Sequence, residues 1–255
     1  MYQQFDHAAV QALVGVMPDD APGALLIHGV YNMPPAVQAW RDRLTHARTA
    51  ARAFNIVIGE VDDVTVWYAA VLGAPMAAFV VHAAAVLGAK GVVQIGSYGG
   101  TKKGQDVGDL LIVTGAGRGD GASDWYLSPG ERVAADEGLV ERLRQRLVAQ
   151  GLRWHEGEVF TTPAFMAETW EDILRWEREG YAGVEMEAAT TLAIARHFGL
   201  PATALIYLLD NLIEERHILD NTVDEVALIR DRRELVSTIG LEMVVELAKE
   251  QQETL

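Results

Sequence analysis

Cysteine is absent from this 255-residue chain, which removes disulfides, thiolate metal ligands and cysteine nucleophiles together. Positive charge is scarce: 21 Lys and Arg stand against 36 Asp and Glu, a formal net charge of −15. With no lysine-rich block to create a local positive field, such a surface repels phosphate backbones and argues against a nucleic-acid partner. A small anionic substrate stays compatible, because a few local donors outweigh charges beyond a Debye length. Metal-ligand spacing is lacking too: His155 and Glu156 sit in a strand-like segment with no second histidine nearby. The first residues, MYQQFDHAAV, lack the basic start and apolar run of a signal peptide. The expected location is cytoplasmic.

What is present is an ordinary globular composition, 50% apolar and 22% charged, enough for a sizeable core. No repeat, low-complexity segment or linker divides the chain, so a single domain over residues 1–255 is expected. One charge-free stretch, Val66 to Ala89, is long enough to span a bilayer. Gly73 and Pro75 interrupt it, its first part is strand-like and its second is an alanine-rich helix. The expectation is a strand, a glycine turn and a buried helix, with no membrane partner.

Apolar runs of strand length begin at Ala24, Phe54, Val64, Val92, Asp109, Trp154 and Thr203. They alternate with helical patterns over about Pro75–Leu87, Gly138–Gln150, Glu168–Arg178, Glu187–Phe198 and Asp224–Glu250. This alternation predicts an α/β fold, a central mixed β-sheet flanked by helices. Ligands in such sheets gather at strand ends. One end, QIGSYGGTKKG, is expected to leave its strand at Gly96 and to expose Ser97, Gly99 and Gly100 in a loop. Glycines with a hydroxyl can make an anion-binding nest there; the solvated pair Lys102–Lys103 lies in the same loop. The other end, TALIYLLDNLI, leads an apolar strand to Asp210, which is either a helix cap or a proton donor in a pocket. Asn211 offers an alternative cap. A third segment, YAGVEMEAAT, places Glu185 and Glu187 on either side of Met186 in a stretch that otherwise reads as core. Burying a carboxylate costs several kcal/mol unless something pairs with it.

Four stretches in order, QIGSYGG, VGDLLIVTGAGRGDGASDWY, GVEMEAAT and FGLPATALIYLLDNLI, together resemble the nucleoside phosphorylase and nucleosidase family. The resemblance runs from about Ala24 to Ile213. It implies that Glu187 accepts hydrogen bonds from the ribose 2′ and 3′ hydroxyls, with Met186 beneath the sugar and Glu185 in support. An ionised carboxylate suits two hydroxyl donors. In an extended segment the two glutamates would share one face; in a helix they would diverge. The purine-cleaving branch of the family implies that Asp210 protonates the base, which favours the proton-donor role over the cap. Phe165 is implied as the stacking partner of the base. The uracil readers of the pyrimidine branch would fall at Thr169 and Glu171, which do not match them, so a purine is expected. Ser97 and the GRGDGAS segment are expected to border the pocket.

The implied phosphate site departs from the family pattern. Gly29 is kept, but Met33 stands where the family has its first arginine. Gln94 stands at the third, Arg52 fits the second, which a neighbouring subunit delivers, and Ser97 keeps the hydroxyl. Each lost charge-assisted contact is worth about 1.5–3 kcal/mol, so two losses weaken phosphate by about two to four orders of magnitude unless something replaces them. Family nucleosidases activate water with an N-terminal glutamate; here His28 is the only local candidate base. His7 is implied to approach a neighbour's 5′ hydroxyl. The resulting expectation is phosphorolysis of a purine nucleoside to free base and ribose 1-phosphate. Inorganic phosphate would be the co-substrate, with no other cofactor and no metal, in a dimer or a hexamer built from dimers. Hydrolysis of a nucleoside is the alternative, and a non-catalytic nucleoside-binding protein is the third reading.

Overall fold

Runs of β-branched and aliphatic residues build the centre of the molecule, which a computed structural model describes over residues 5–130 and 132–250. In chain order the strands are β1 (Ala24–Gly29), β2 (Thr45–Ala50), β3 (Ala53–Val61), β4 (Val64–Val71), β5 (Val92–Gly100), β6 (Leu110–Arg118), β7 (Val133–Ala134), β8 (Trp154–Thr161), β9 (Gly183–Glu185) and β10 (Ala202–Asn211). The helices are α1 (His7–Val14), α2 (Met33–Arg43), α3 (Ala74–Val86), α4 (Glu137–Gln150), α5 (Trp170–Arg178), α6 (Ala188–His197) and α7 (Val223–Glu250). All seven expected strands and five expected helices are present, and the sheet is mixed as expected. The strands β2, β7 and β9 and the helices α1 and α2 were not foreseen.

The ten strands form one sheet in which β5 is the branch point. Along its whole length β5 pairs in parallel with β10. On its other edge β1 runs parallel to Val92–Ile95, and β9 pairs antiparallel only at Gly99 and Gly100. The pairings β5–β10–β6–β8–β9–β5 close a five-strand ring, while β1, β4, β3 and β2 extend away from it. Between the partners β1 and β9, the segment Gly96–Tyr98 has no strand beside it on that edge. That gap positions the site.

Helices cover both faces. Side chains of α1, α3 and α6 pack on one, among them Val14, Val80 and Leu192. Those of α2, α4 and α7 pack on the other, among them Trp40, Leu143 and Val244. Each such fully buried side chain contributes about 1.5–3 kcal/mol relative to exposure. The charge-free stretch resolves as β4, a turn at Gly73 and α3, whose Ala77, Val80, Val81 and Ala84 are fully buried. Among the described residues no helix is long and apolar enough to cross a membrane. The charge-free composition follows from burial between sheet and helices.

Candidate active site

The two glutamates of the EME segment do different work. Glu185 ends β9, and its carboxylate accepts from Thr161 Oγ1 (2.5 Å), Gln94 Nε2 (3.0 Å) and the amides of Glu187 (2.8 Å) and Ala188 (2.7 Å). Burial pushes its pKa up, and these four donors oppose that by favouring the ionised form. Two of the donors are the first amides of α6, which otherwise lack partners. Glu185 is therefore committed to protein donors and supports the site by fixing the start of α6.

Glu187 is the N-cap residue of α6, so the segment changes from strand to helix between the two carboxylates and they diverge. Its Oε1 accepts from the amide of Gly73 (2.5 Å), which the turn at φ 81° presents. Its Oε2 lies against Gly29, where any Cβ would collide with it; the family glycine at the end of β1 is thus a requirement of Glu187. Burial, then the charge of Glu185, pushes Glu187 up to about 8, against the pull of the Gly73 and Met186 amides.

Glu187 and Met186 line a cavity of about 440 Å³ in the gap of the sheet, together with Gly29, Ser97, Phe165, Glu168, Glu185 and Asp210. Asp210 lies past a bulge in β10, paired with Gly99. Burial raises its pKa, opposed by the Ile218 amide and by His217. Its Oδ2 accepts from that amide at 3.1 Å, the first amide of the 3₁₀ turn Ile218–Asp220, so it caps no α-helix. Asn211 stands at the N-cap position of the 3₁₀ turn Leu212–Glu214 but its side chain makes no capping bond: its amide donates to the carbonyls of Lys102 (3.1 Å) and Gln105 (2.8 Å). Phe165 is 48% exposed and lines the same cavity as Asp210.

Sequence reasoning missed Glu168, which it placed at a helix start. Thr169 is the residue that caps α5, and Glu168 stands before it in the cavity wall. Burial and then the charge of Asp210 raise Glu168 to about 7, and among the described residues its carboxylate has no hydrogen-bond or ion-pair partner. The only sequence signal was its position three residues after Phe165; Asp210 is far off along the chain.

Several expected neighbours are elsewhere. The chain does not leave its strand at Gly96; β5 continues to Gly100, and Gly96, Gly99 and Gly100 have ordinary φ. Their service is close approach, since a Cβ on Gly99 would sit 3.2 Å from Asp210 Oδ1 and 2.8 Å from Leu212 Cδ1. Gln94, expected at the phosphate, is 1% exposed and bound to Glu185, because strand alternation turns it to the opposite face from Ser97. The GRGDGAS segment does not line the cavity. Asp120 instead accepts from the Ser123 amide, the Ser123 hydroxyl and the Thr190 hydroxyl, each at 2.7 Å, tying the segment to α6. The Lys102–Lys103 pair does not line this cavity; Arg52, which donates to the carbonyl of Ala12 at 3.1 Å, and His7 do not line it either, in keeping with the expectation that both serve a neighbouring subunit's site. His28 is fully buried with Nδ1 2.8 Å from the Tyr68 hydroxyl. Burial, then Arg233, lowers it to about 3, so it is a neutral imidazole and a poor proton acceptor at neutral pH.

A second cavity of about 740 Å³ opens beside the first and shares Gly29, Val30, Tyr31, Ser97, Leu209 and Ile218 with it. Its further walls include Trp40 and Arg43 of α2, Arg233 of α7, His28 of β1 and Tyr207 of β10. Among the described residues no group of three or more His, Asp or Glu is arranged to hold a metal ion.

Comparison with known proteins places these features in context. Residues 30–238 match the family described as the phosphorylase superfamily. A guanosine phosphorylase of Halorubrum lacusprofundi is 29% identical over 164 residues, 64% of this chain and 68% of that protein. A DeoD-type purine nucleoside phosphorylase of Clostridium beijerinckii is 30% identical over 55% of this chain and 63% of that protein. A uridine phosphorylase of Thermococcus kodakarensis is 30% identical over 51% and 52% respectively. The chain thus spans between about half and two thirds of these relatives. The crystal structure of uridine phosphorylase from Vibrio fischeri superposes with a TM-score of 0.80 over 96% of this chain and all of that one, at 20% identity; the likeness is one of fold.

Proposed function

The chain belongs to the phosphorylase superfamily, and on that premise we propose that it cleaves the N-glycosidic bond of a purine nucleoside by phosphorolysis. The observation that carries this is the single 440 Å³ cavity whose lining brings Glu187, Met186, Phe165 and Asp210 together. Ribose hydroxyls donate to Glu187 above Met186, and the base stacks on Phe165 with an edge at Asp210. As the C1′–N bond breaks, its electron pair leaves with the base and Asp210 gives that base its proton. Phosphate oxygen bonds to C1′ and yields ribose 1-phosphate. The developing positive charge on the sugar faces an acidic side chain, and the leaving negative charge faces a donor.

Base release from inosine, guanosine, adenosine and uridine, with and without phosphate, tests the reading. Phosphate-dependent release with ribose 1-phosphate as product, fastest for a purine, is expected. Free ribose formed at a rate indifferent to phosphate would replace it with hydrolysis, which the removal of Gln94 from the site favours and the weak basicity of His28 disfavours. Nucleoside-induced thermal stabilisation with no turnover would indicate a binding protein.

Glu168 supports a purine with N–H donors on its edge, because an unpartnered carboxylate accepts from such groups. Glu168→Gln should lower kcat/KM about tenfold more for guanosine than for purine riboside, whose base has no N–H. Equal losses for the two nucleosides would remove Glu168 from base recognition.

A further inference from the structure

The 740 Å³ cavity adjoins the nucleoside cavity at Ser97 and Gly29. Strand alternation fixes which face Ser97 serves. Val93 and Ile95 pack toward α7 with Leu205 and Tyr207, so Ser97, two residues after Ile95, turns its hydroxyl to the same face. In the parallel register Tyr207 lies directly beside Ser97. The Tyr207 hydroxyl in turn accepts from Nε of Arg233 on α7, at 3.1 Å.

Two guanidinium groups line this cavity, and they are not equivalent. Arg43 is ion-paired with Glu234 and lies over the Trp40 ring, 4.9 Å from its centroid, so its charge is already compensated. Arg233 has only the Tyr207 hydroxyl, a neutral partner; among the described residues no carboxylate pairs with it and its Nη groups have no acceptor. A guanidinium held by one nitrogen, with its fork of Nη donors left over, is set up to take an oxyanion in two parallel hydrogen bonds.

We propose that Arg233 of the C-terminal helix, positioned by Tyr207 and acting with Ser97, receives the attacking phosphate in place of the guanidinium groups missing at Met33 and Gln94. The inference rests on the phosphorolysis reading for the identity of the anion, though an oxyanion site at Arg233 stands independently of turnover. The helix α7 packs on the face of β1, β5 and β10, which brings its Arg233 to the Tyr207 hydroxyl beside Ser97.

The test compares wild type, Arg233→Gln, Arg233→Lys and Tyr207→Phe in two measurements, the KM for phosphate at saturating guanosine and the melting-temperature shift caused by inorganic phosphate alone. Arg233→Gln should raise the KM for phosphate about 10–100-fold and abolish the phosphate-induced shift, while the shift caused by guanosine persists and shows that the variant is folded. Lysine keeps the charge without the fork and should recover part of the loss; Tyr207→Phe should weaken phosphate by a smaller factor. If wild type requires phosphate and Arg233→Gln leaves its KM unchanged, the assignment of Arg233 falls and phosphorolysis survives. If wild type turns over without phosphate but phosphate still stabilises it through Arg233, the anion site survives and phosphorolysis falls. If phosphate neither stabilises wild type nor accelerates it, both fall.

Discussion

Asp210→Asn should lower kcat/KM for guanosine or inosine by about two to four orders of magnitude, the range a positioned general acid contributes. The nucleoside dissociation constant should change by less than about tenfold, because the amide keeps the shape of the carboxyl and retains an oxygen for the Ile218 amide, which Asp210 accepts at 3.1 Å. The pH dependence follows from the direction of the shift. Burial raises Asp210 above the usual carboxylate range, so the proton-bearing form persists to higher pH than an exposed aspartate allows. Activity carried by that form is complete below its pKa and declines as pH rises through it; the asparagine variant should lack that limb. A nucleoside with a leaving base that is already cationic, such as 7-methylguanosine, needs no proton at N7. Its cleavage should fall by less than about tenfold in the variant. Equal losses for guanosine and its methylated form would mean that Asp210 positions the base and does not protonate it.

The place of Asp210 was accessible from sequence because it ends a long apolar strand, a pattern readable without a partner; its role as proton donor came only from the family resemblance. The main strands share this property: Leu110–Val113 and Ala204–Leu208 are buried runs whose period needs no tertiary information. The missed elements lack it. Strand β2, Thr45–Ala50, is mostly exposed and polar, and β9 is three residues long; both exist because a neighbouring strand offers hydrogen bonds. Helix α2 opens with Met33, Pro34 and Pro35, residues that read as a turn although proline is tolerated in a first helical turn. The site divides in the same manner. Glu187 and Met186, which line the cavity, stood out as one local segment whose roles the family resemblance supplied, whereas Glu168 and Arg233 acquire meaning only through cavity partners remote in the chain. Gln94 shows the converse error. Aligned position suggested a phosphate contact, but the alternation of β5 turns it inward to Glu185, where it serves the architecture of the EME segment.

Glu187→Gln should separate function from stability, and the two effects should have opposite signs. For function, the bound ribose hydroxyls donate to Glu187 and so favour its ionised form over the protonated form that burial and Glu185 favour in the empty site; the carboxylate then offers negative charge to the sugar, while glutamine keeps one carbonyl and no charge. Hydrogen bonds to a charged group are worth about 1.5–3 kcal/mol, and the charge acts most strongly in the transition state. A loss of about 10²–10³-fold in kcat/KM is expected, with free-base binding little changed and the preference for ribose over 2′-deoxyribose reduced to a few-fold. For stability, Glu187 is raised to about 8 by burial and by Glu185, above the usual unfolded value of about 4.3. Between these two values the folded state holds more protons than the unfolded one, so Glu187 destabilises the fold increasingly as pH rises, reaching its full effect above about 8. Glutamine removes this penalty, and its carbonyl still accepts from the Gly73 amide. The melting temperature of Glu187→Gln should therefore match wild type near pH 5 and exceed it at pH 8. A variant that melts lower than wild type at pH 8 while keeping its kcat/KM would make Glu187 a structural carboxylate. The observed combination of a buried, repelled acid and a glycine cleared for it at position 29 is otherwise hard to reconcile with selection for stability alone, since nothing in the fold requires a charge there.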